Sequence, residues 1–253
     1  MQKLSVVIIT FNEEKNIKRC IDSVLNIADE VIVLDSFSTD STEDICKKLG
    51  VQFSTHKFDG HIQQKNRVMQ MAKNDWVLSL DADELPDATL LQSIKSVMDN
   101  PQADGYIFNR KTNYLGKWIL HSGWYPDKKL RLLRKSKGKW DGINPHDKIE
   151  MEANAKQEYL KGDLLHYSYY SIEQHLAQVN TFTSIGAKEA FKKGKKSNWF
   201  IAIYKSVWKF IRDYFFKLGF LDGYYGFIIC SISAFATFTK YVKLKELHKN
   251  ANI

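Results

Sequence analysis

Four short apolar runs mark the first eighty residues, and polar residues follow each of them. Leu4-Ser5-Val6-Val7-Ile8-Ile9 is nearly continuous in β-branched residues, the pattern of a strand covered on both faces. Ile17, Ile21, Val24 and Leu25 then recur at helical spacing within residues 14–27. Val31-Ile32-Val33-Leu34 predicts a second buried strand. Asp40-Ser41-Thr42-Glu43 has the composition of a helix start, with Asp40 as N-cap, and Gly50 suits the position just past that helix's end. Val51-Gln52-Phe53 predicts a third strand, residues 61–73 a helix, and Trp76-Val77-Leu78-Ser79-Leu80 a fourth strand. Strand–helix alternation repeated in this way predicts a parallel sheet with right-handed crossovers.

The pattern changes near residue 105. Tyr106-Ile107-Phe108, Leu130–Leu133 and Leu160–His166 predict strands of a mixed second half, with the aromatic loop His121-Ser122-Gly123-Trp124-Tyr125-Pro126-Asp127 between the first two. Beyond residue 170 the chain reads as helical. Within residues 199–218, Phe200, Ile203, Tyr204, Val207, Ile211, Tyr214, Phe215 and Leu218 fall on one side, and Lys205, Lys209, Arg212, Asp213 and Lys217 largely on the other. Gly223 to Thr239 carries no charge, but this uncharged stretch is shorter than the ~20 residues of a straightforward span. The expected organisation is one α/β domain over 1–170, split near residue 104 into two halves, and a helical basic region over 171–253.

Charge sharpens that division. Of the net charge of +8, residues 188–253 supply +9, from 13 Lys and Arg against 4 Asp and Glu, so residues 1–187 carry −1. A basic amphipathic helix next to Lys192-Lys193-Gly194-Lys195-Lys196 suits an anionic lipid surface. The expected location is peripheral, on the cytoplasmic face of the inner membrane, with packing on a protein surface as the alternative. Nucleic acid is not the expected partner, because no nucleic-acid motif accompanies the charge. Three scattered cysteines fit neither a disulfide framework nor a zinc site, and point to a reducing compartment.

In parallel sheets of this kind, ligands bind beyond the carboxyl ends of the strands. There the sequence has Thr10-Phe11-Asn12-Glu13, Asp35–Asp40 and Asp81-Ala82-Asp83-Glu84. Asp81 and Asp83 are two residues apart, and an extended backbone would turn both carboxylates the same way. Two such charges favour a hard divalent cation such as Mg²⁺ or Mn²⁺, which is often shared with substrate phosphates. Neither a G-x-G-x-x-G turn nor a P-loop is present.

LSVVIITFNEE, EVIVLDSFSTDST and QQKNRVMQMAKNDWVLSLDADE, in that order, resemble glycosyltransferase family 2, inverting nucleotide-sugar enzymes of the GT-A fold. HSGWYPDKKLRLLRK and PHDKIE are similar to a narrower group, which transfers glucose to the inner-core heptose of lipopolysaccharide. That group usually reads V-H-E where this chain has Pro145-His146-Asp147. The resemblance implies a UDP-sugar donor and a lipid-linked saccharide acceptor. It places Thr10, Asn12, Glu13, Asp35, Lys65, Asn66 and Asp81 at the nucleotide-sugar. It places Asp83 on the metal, and His166 suits the late histidine that completes the metal site in some GT-A enzymes. Asp127 matches the acidic position of the acceptor-side loop and is the expected general base, with Glu84 as its rival. His146, Trp124 and Tyr125 are candidates for acceptor contact or proton transfer. Transfer to a polyprenyl phosphate carrier is the alternative within the same family.

Overall fold

The computed structural model describes residues 2–143 and 146–251, with Ile143 and His146 described by their backbone alone. The chain divides into two compact units, residues 1–111 with 127–167, and residues 112–126 with 168–253. The segment 112–126, expected in the second half of the 1–170 domain, groups with the C-terminal helices.

In the first unit, β1 (Leu4–Thr10) lies between two parallel neighbours, β2 (Glu30–Asp35) and β4 (Trp76–Asp81). β3 (Gln52–Thr55) extends the parallel set beyond β2. The helices α1 (Ile17–Val24), α2 (Thr42–Lys48) and α3 (His61–Met71) make the crossovers. Alternation along β1 explains the continuous apolar run. Leu4, Val6 and Ile8 enter one core with Ile17, Ile21 and Val24 of α1, whereas Val7 enters a second core with Val68 and Met69 of α3. Asp40 does its capping work from outside the helix: its carboxylate accepts from the Thr42 N–H at 3.0 Å, while Ser41 holds the cap position.

The next strands run antiparallel, as the mixed second half predicted. β8 (Asp127–Arg134) pairs with β4 and with β6 (Gly105–Tyr114), and β11 (Gln157–Tyr169) pairs with the short β5 (Glu84–Pro86). The sheet order is β3-β2-β1-β4-β8-β6-β11-β5, with β7 (Lys117–Trp118) paired to β6. A separate hairpin joins β9 (Gly138–Ile143) to β10 (His146–Met151). Helix α4 (Ala88–Asp99) adds Leu90, Ile94 and Met98 to the first core. Gly162 of β11 sits at φ +101°, and a Cβ there would stand 2.2 Å from the Leu90 nitrogen, so only glycine lets the strand pass this helix.

The second unit contains α5 (Ile172–Lys192), α6 (Trp199–Ile211), a π-helical turn at Arg212–Phe216, a 3₁₀ turn at Gly219–Asp222 and α7 (Gly223–Asn250). Tyr114, Ile119 and Ile229 form its buried aromatic–aliphatic cluster. Helix α6 buries only Ala202, and its Ser206 hydroxyl donates to the Ala234 carbonyl of α7 at 2.7 Å. The apolar face predicted for this segment is left outward, with Phe200 62% and Tyr204 56% exposed. Among the described residues, one helical stretch, Gly219–Asn250, is long and apolar enough to cross a membrane by length and composition.

Candidate active site

The acidic residues after β4 occupy a turn, not an extended segment, and this separates them. Asp81 ends the strand, and Ala82-Asp83 turns the chain into β5. The two carboxylates consequently take different partners, contrary to the expectation that both face one way.

Asp81 faces fixed cations. Lys65 Nζ lies 3.0 Å from its Oδ1, and Arg131 Nη2 lies 3.1 Å from Oδ2. Burial alone would raise the Asp81 pKa; Lys65 and Arg131 reverse this and hold the carboxylate far below its ordinary range. Lys65 is itself buried, with Asp147 Oδ2 at 2.8 Å and the Trp140 ring at 4.3 Å. Its ammonium therefore joins Asp81 and Asp147. Asn66 ties two elements together. Its amide nitrogen donates to the Trp140 carbonyl at 2.8 Å, and its oxygen accepts from the Trp140 N–H at 3.0 Å, fastening α3 to β9.

Glu84 is fully buried, and both its oxygens are engaged. Oε1 pairs with Arg131 at 3.0 Å and Arg110 at 3.2 Å, and Oε2 accepts the Asp81 N–H at 3.1 Å. A carboxylate sealed in this way is a poor candidate for taking a proton from a sugar hydroxyl, so the rival base is removed. Arg110 continues to Asp127, with Nη2 at 2.9 Å from Oδ2, and Lys129 pairs with the other oxygen at 3.0 Å. Asp127 keeps about a third of its side chain in solvent. It follows the cis Tyr125–Pro126 bond at the start of β8, opposite Arg110 in register.

Asp83 faces a histidine. His166 Nε2 lies 3.1 Å from Asp83 Oδ2, and the Tyr167 N–H donates to the Asp83 carbonyl at 2.9 Å. Burial lowers the His166 pKa, but the charge and hydrogen bond of Asp83 outweigh it, and the net shift is upward. Among the described residues, His166 Nδ1 is buried without a hydrogen-bond partner. A divalent cation fits this pair. Its oxygen and nitrogen are spaced like adjacent ligands of an ion with bonds of about 2.1 Å. Among the described residues no three His, Cys, Asp or Glu side chains assemble into a metal site, so further ligands would come from a bound diphosphate.

The loops after β1 and β2 interlock. Asn12, at φ +55°, donates its N–H to the Ser38 hydroxyl at 2.7 Å and accepts from the Thr39 N–H at 2.8 Å. Asp35 is buried and accepts from the Ser38 N–H at 2.7 Å. Thr10 Oγ1 is buried without a partner. The Glu13 pKa is pushed up to about 7, mainly by burial, with the hydrogen bond from Asn16 opposing the rise. Phe11 and Phe37 project beside these loops, 56% and 57% exposed.

Trp124 is half-buried in the second unit and packs against Tyr114, Tyr169 and His175, with ring centroids 5.7–6.0 Å apart. Tyr125 is half-buried in the same unit. The His146 backbone opens β10, but its side chain lies outside the described residues. Sequence reading overlooked Arg110, Arg131 and Asp147. The available signal for Arg131 was a charge set among Leu130, Leu132 and Leu133 in a strand.

A parallel four-strand half, an antiparallel second half and acidic residues at the end of the fourth strand make up a GT-A fold. A family model for glycosyl transferase family 2 matches residues 5–161, and the chain belongs to that family. An uncharacterized glycosyltransferase of Rickettsia typhi, RT0209, is 36% identical over 264 residues, spanning all of this chain and 90% of that protein. A lipopolysaccharide core biosynthesis glycosyltransferase of Rhizobium meliloti, LpsC, is 25% identical across 97% of this chain and 93% of its own length. Among solved structures, S. aureus TarS 1-349 in complex with UDP shares 22% identity over 53% of this chain and 47% of that one, with a TM-score of 0.41.

Proposed function

We propose that this glycosyltransferase moves a hexose, glucose by the narrower resemblance, from a UDP-sugar to a lipopolysaccharide core acceptor, with inversion at the anomeric carbon. The observation that carries the reading is the contrast between Asp81, locked by two cations, and Asp83, facing His166 in a turn at the donor end of the sheet. Similarity to LpsC along nearly the whole chain supports the acceptor class.

Asp83 and His166 would hold Mg²⁺ or Mn²⁺. Such an ion supplies Lewis-acid stabilisation of the charge that gathers on the departing UDP. Asp81, kept ionised, accepts a ribose hydroxyl, and the interlocked loops carrying Thr10, Asn12, Glu13 and Asp35 form the wall around the nucleotide. Asp127 takes the proton of the attacking acceptor hydroxyl, and Arg110 fixes its orientation through the contact at 2.9 Å. The exposed aromatic face of α6 and the basic charge of the C-terminal region support attachment to the cytoplasmic face of an anionic membrane, where a lipid-linked acceptor would be met.

The test is a donor screen on the purified full chain. Each UDP-sugar is supplied with Mn²⁺ or Mg²⁺, and UDP release is followed with and without truncated lipopolysaccharide core. One donor should give acceptor-dependent release that chelator abolishes and Asp83→Ala removes. Full transfer by Asp83→Ala in chelator-treated protein would sink the metal assignment, and retained turnover in Asp127→Asn would sink the base.

A further inference from the structure

The second unit holds a polar cluster that the donor site does not use. Asp222, 5% exposed, accepts three hydrogen bonds from the segment Leu120-His121: the Leu120 N–H at 3.2 Å, the His121 N–H at 2.9 Å and His121 Nδ1 at 3.1 Å. With Nδ1 directed at this carboxylate, the ring's other nitrogen is left at the partly exposed edge, and no partner for Nε2 is found among the described residues.

A cation lies alongside. The Ser122 N–H donates to the Lys217 carbonyl at 3.0 Å. Gly123, at φ +75°, leaves room for the Lys217 side chain: a Cβ there would stand 2.5 Å from the ammonium nitrogen. Lys217 pairs with no carboxylate among the described residues. The neighbouring cations differ in this respect, since Lys209 and Arg212 both pair with buried Asp213. The Asp222 charge is already met by three N–H groups. In this segment, among the described residues, the Lys217 ammonium has no carboxylate partner and His121 Nε2 no hydrogen-bond partner, and Ser122 Oγ is buried without one. They are flanked in sequence by exposed apolar residues, Phe215 54%, Phe216 69%, Leu218 44% and Leu221 56%.

We propose that His121 and Lys217 bind the phosphate group of an amphiphile, with the flanking Phe215, Phe216, Leu218 and Leu221 against its apolar part. Lys217 supplies the point charge. His121 Nε2 either accepts the P–O–H of a phosphate monoester or, when protonated, donates to its oxygen. Asp222 is a positioning residue that fixes the ring and its loop. The inference rests on the lipid-linked acceptor of the proposed function and names the group by which such an acceptor would be held.

Decyl phosphate below its micelle concentration is the probe, titrated into the full chain by calorimetry and followed by the ¹⁵N resonances of histidine. Inorganic phosphate and decyl glucoside are the comparison arms. Decyl phosphate should shift the His121 Nε2 resonance and bind about tenfold or more tighter than to Lys217→Ala or His121→Gln. Asp222→Asn should weaken binding while His121→Gln/Asp222→Asn adds nothing further. Inorganic phosphate should bind the same residues more weakly, and decyl glucoside should leave Nε2 unmoved. Equal affinity of the unchanged protein and Lys217→Ala, whose side chain is exposed, overturns the proposal. Decyl glucoside binding as tightly as the phosphate overturns it as well, and inorganic phosphate binding as tightly as decyl phosphate overturns the amphiphile. UDP with Mn²⁺, titrated in parallel, reports on the donor site alone, so failure there leaves the decyl phosphate result to stand or fall by itself.

Discussion

Replacing Arg131 by Met tests whether the buried charges at the end of β4 act as one network. Arg131 is 3% exposed and gives Nη2 to both Asp81 and Glu84, at 3.1 and 3.0 Å. Methionine fills much of the side chain's volume but leaves Glu84 with Arg110 as its remaining cation and Asp81 with Lys65. Two charge-assisted hydrogen bonds contribute about 1.5–3 kcal/mol each. Breaking a buried pair while its partner stays charged costs about 3–5 kcal/mol. Both routes place the loss in the same range, so Arg131→Met should lower unfolding free energy by about 3–5 kcal/mol near neutral pH. Urea denaturation followed by tryptophan fluorescence measures it, since the Trp140 ring lies 4.9 Å from the guanidinium. The pH dependence has a definite sign. Asp81 is held below its ordinary pKa, so its share of stability is complete above about pH 4 and is lost as pH falls through the folded value. Adding Glu84→Gln to Arg131→Met should restore part of the loss, because the uncharged amide no longer needs a cation. A single variant within about 1 kcal/mol of the parent, or a double variant as unstable as the two single losses added, would refute the network.

Glu13 should respond to pH in the opposite sense. Its pKa rises from 4.5 to about 7 on folding, so the unfolded chain ionises first and the group costs stability progressively between those values. Glu13→Gln should therefore stabilise the protein above pH 7, by at most about 3 kcal/mol before allowing for remaining solvent contact, and change nothing below pH 4 in urea titrations. His175, buried with its ring nitrogen 2.9 Å from the Tyr114 hydroxyl, has its pKa lowered to about 4 by desolvation. Stability should fall as pH drops from 6.5 towards 4, and His175→Gln should flatten that slope in thermal melts. Trp199→Ser with Phe200→Ser, two outward residues of α6, should reduce partition onto anionic vesicles by at least about tenfold while leaving the melt unchanged. Deleting residues 197–253 is a poorer test, because Ile229 packs with Tyr114 and Ile119 and Asp222 holds the loop at His121.

Strands β1, β2 and β4 were legible because each is buried on both faces and so reads as a nearly continuous apolar run, whereas β3, at the sheet edge, is partly exposed. Helix α4 went unread despite its signals: Asp87 caps it by accepting the Leu90 N–H at 2.7 Å, and Leu90, Ile94 and Met98 recur on one face. The β9–β10 hairpin is hard to read for a different reason. Its strands, GKWDGI and HDKIEM, keep Trp140 and Ile149 for the core and spread polar groups over the rest, so neither alternates cleanly. The residue types at the site were legible, and their partners were not. Asn66 looks like a ligand contact in one dimension, yet its partner is a backbone 74 residues away. For Trp124, aromatic density in the sequence does not reveal that Tyr114, Tyr169 and His175 pack against its ring.

Asp81 and Asp83 show what sequence spacing leaves undetermined. Two carboxylates separated by one alanine read as equivalent, and repulsion between them suggests a shared cation. The turn at Ala82 removes that equivalence. Asp81 meets Lys65 and Arg131, which hold its carboxylate far below the ordinary range. Asp83 meets an imidazole, a partner able to give up its proton and offer a lone pair instead. On the proposed function, Asp81 would offer hydroxyls a carboxylate of fixed geometry. Asp83 would be the carboxylate where an arriving cation is accommodated without stranding a buried charge. The division of labour within the acidic pair follows from the backbone turn and from the distant residues that β8, β11 and α3 bring to each side of it.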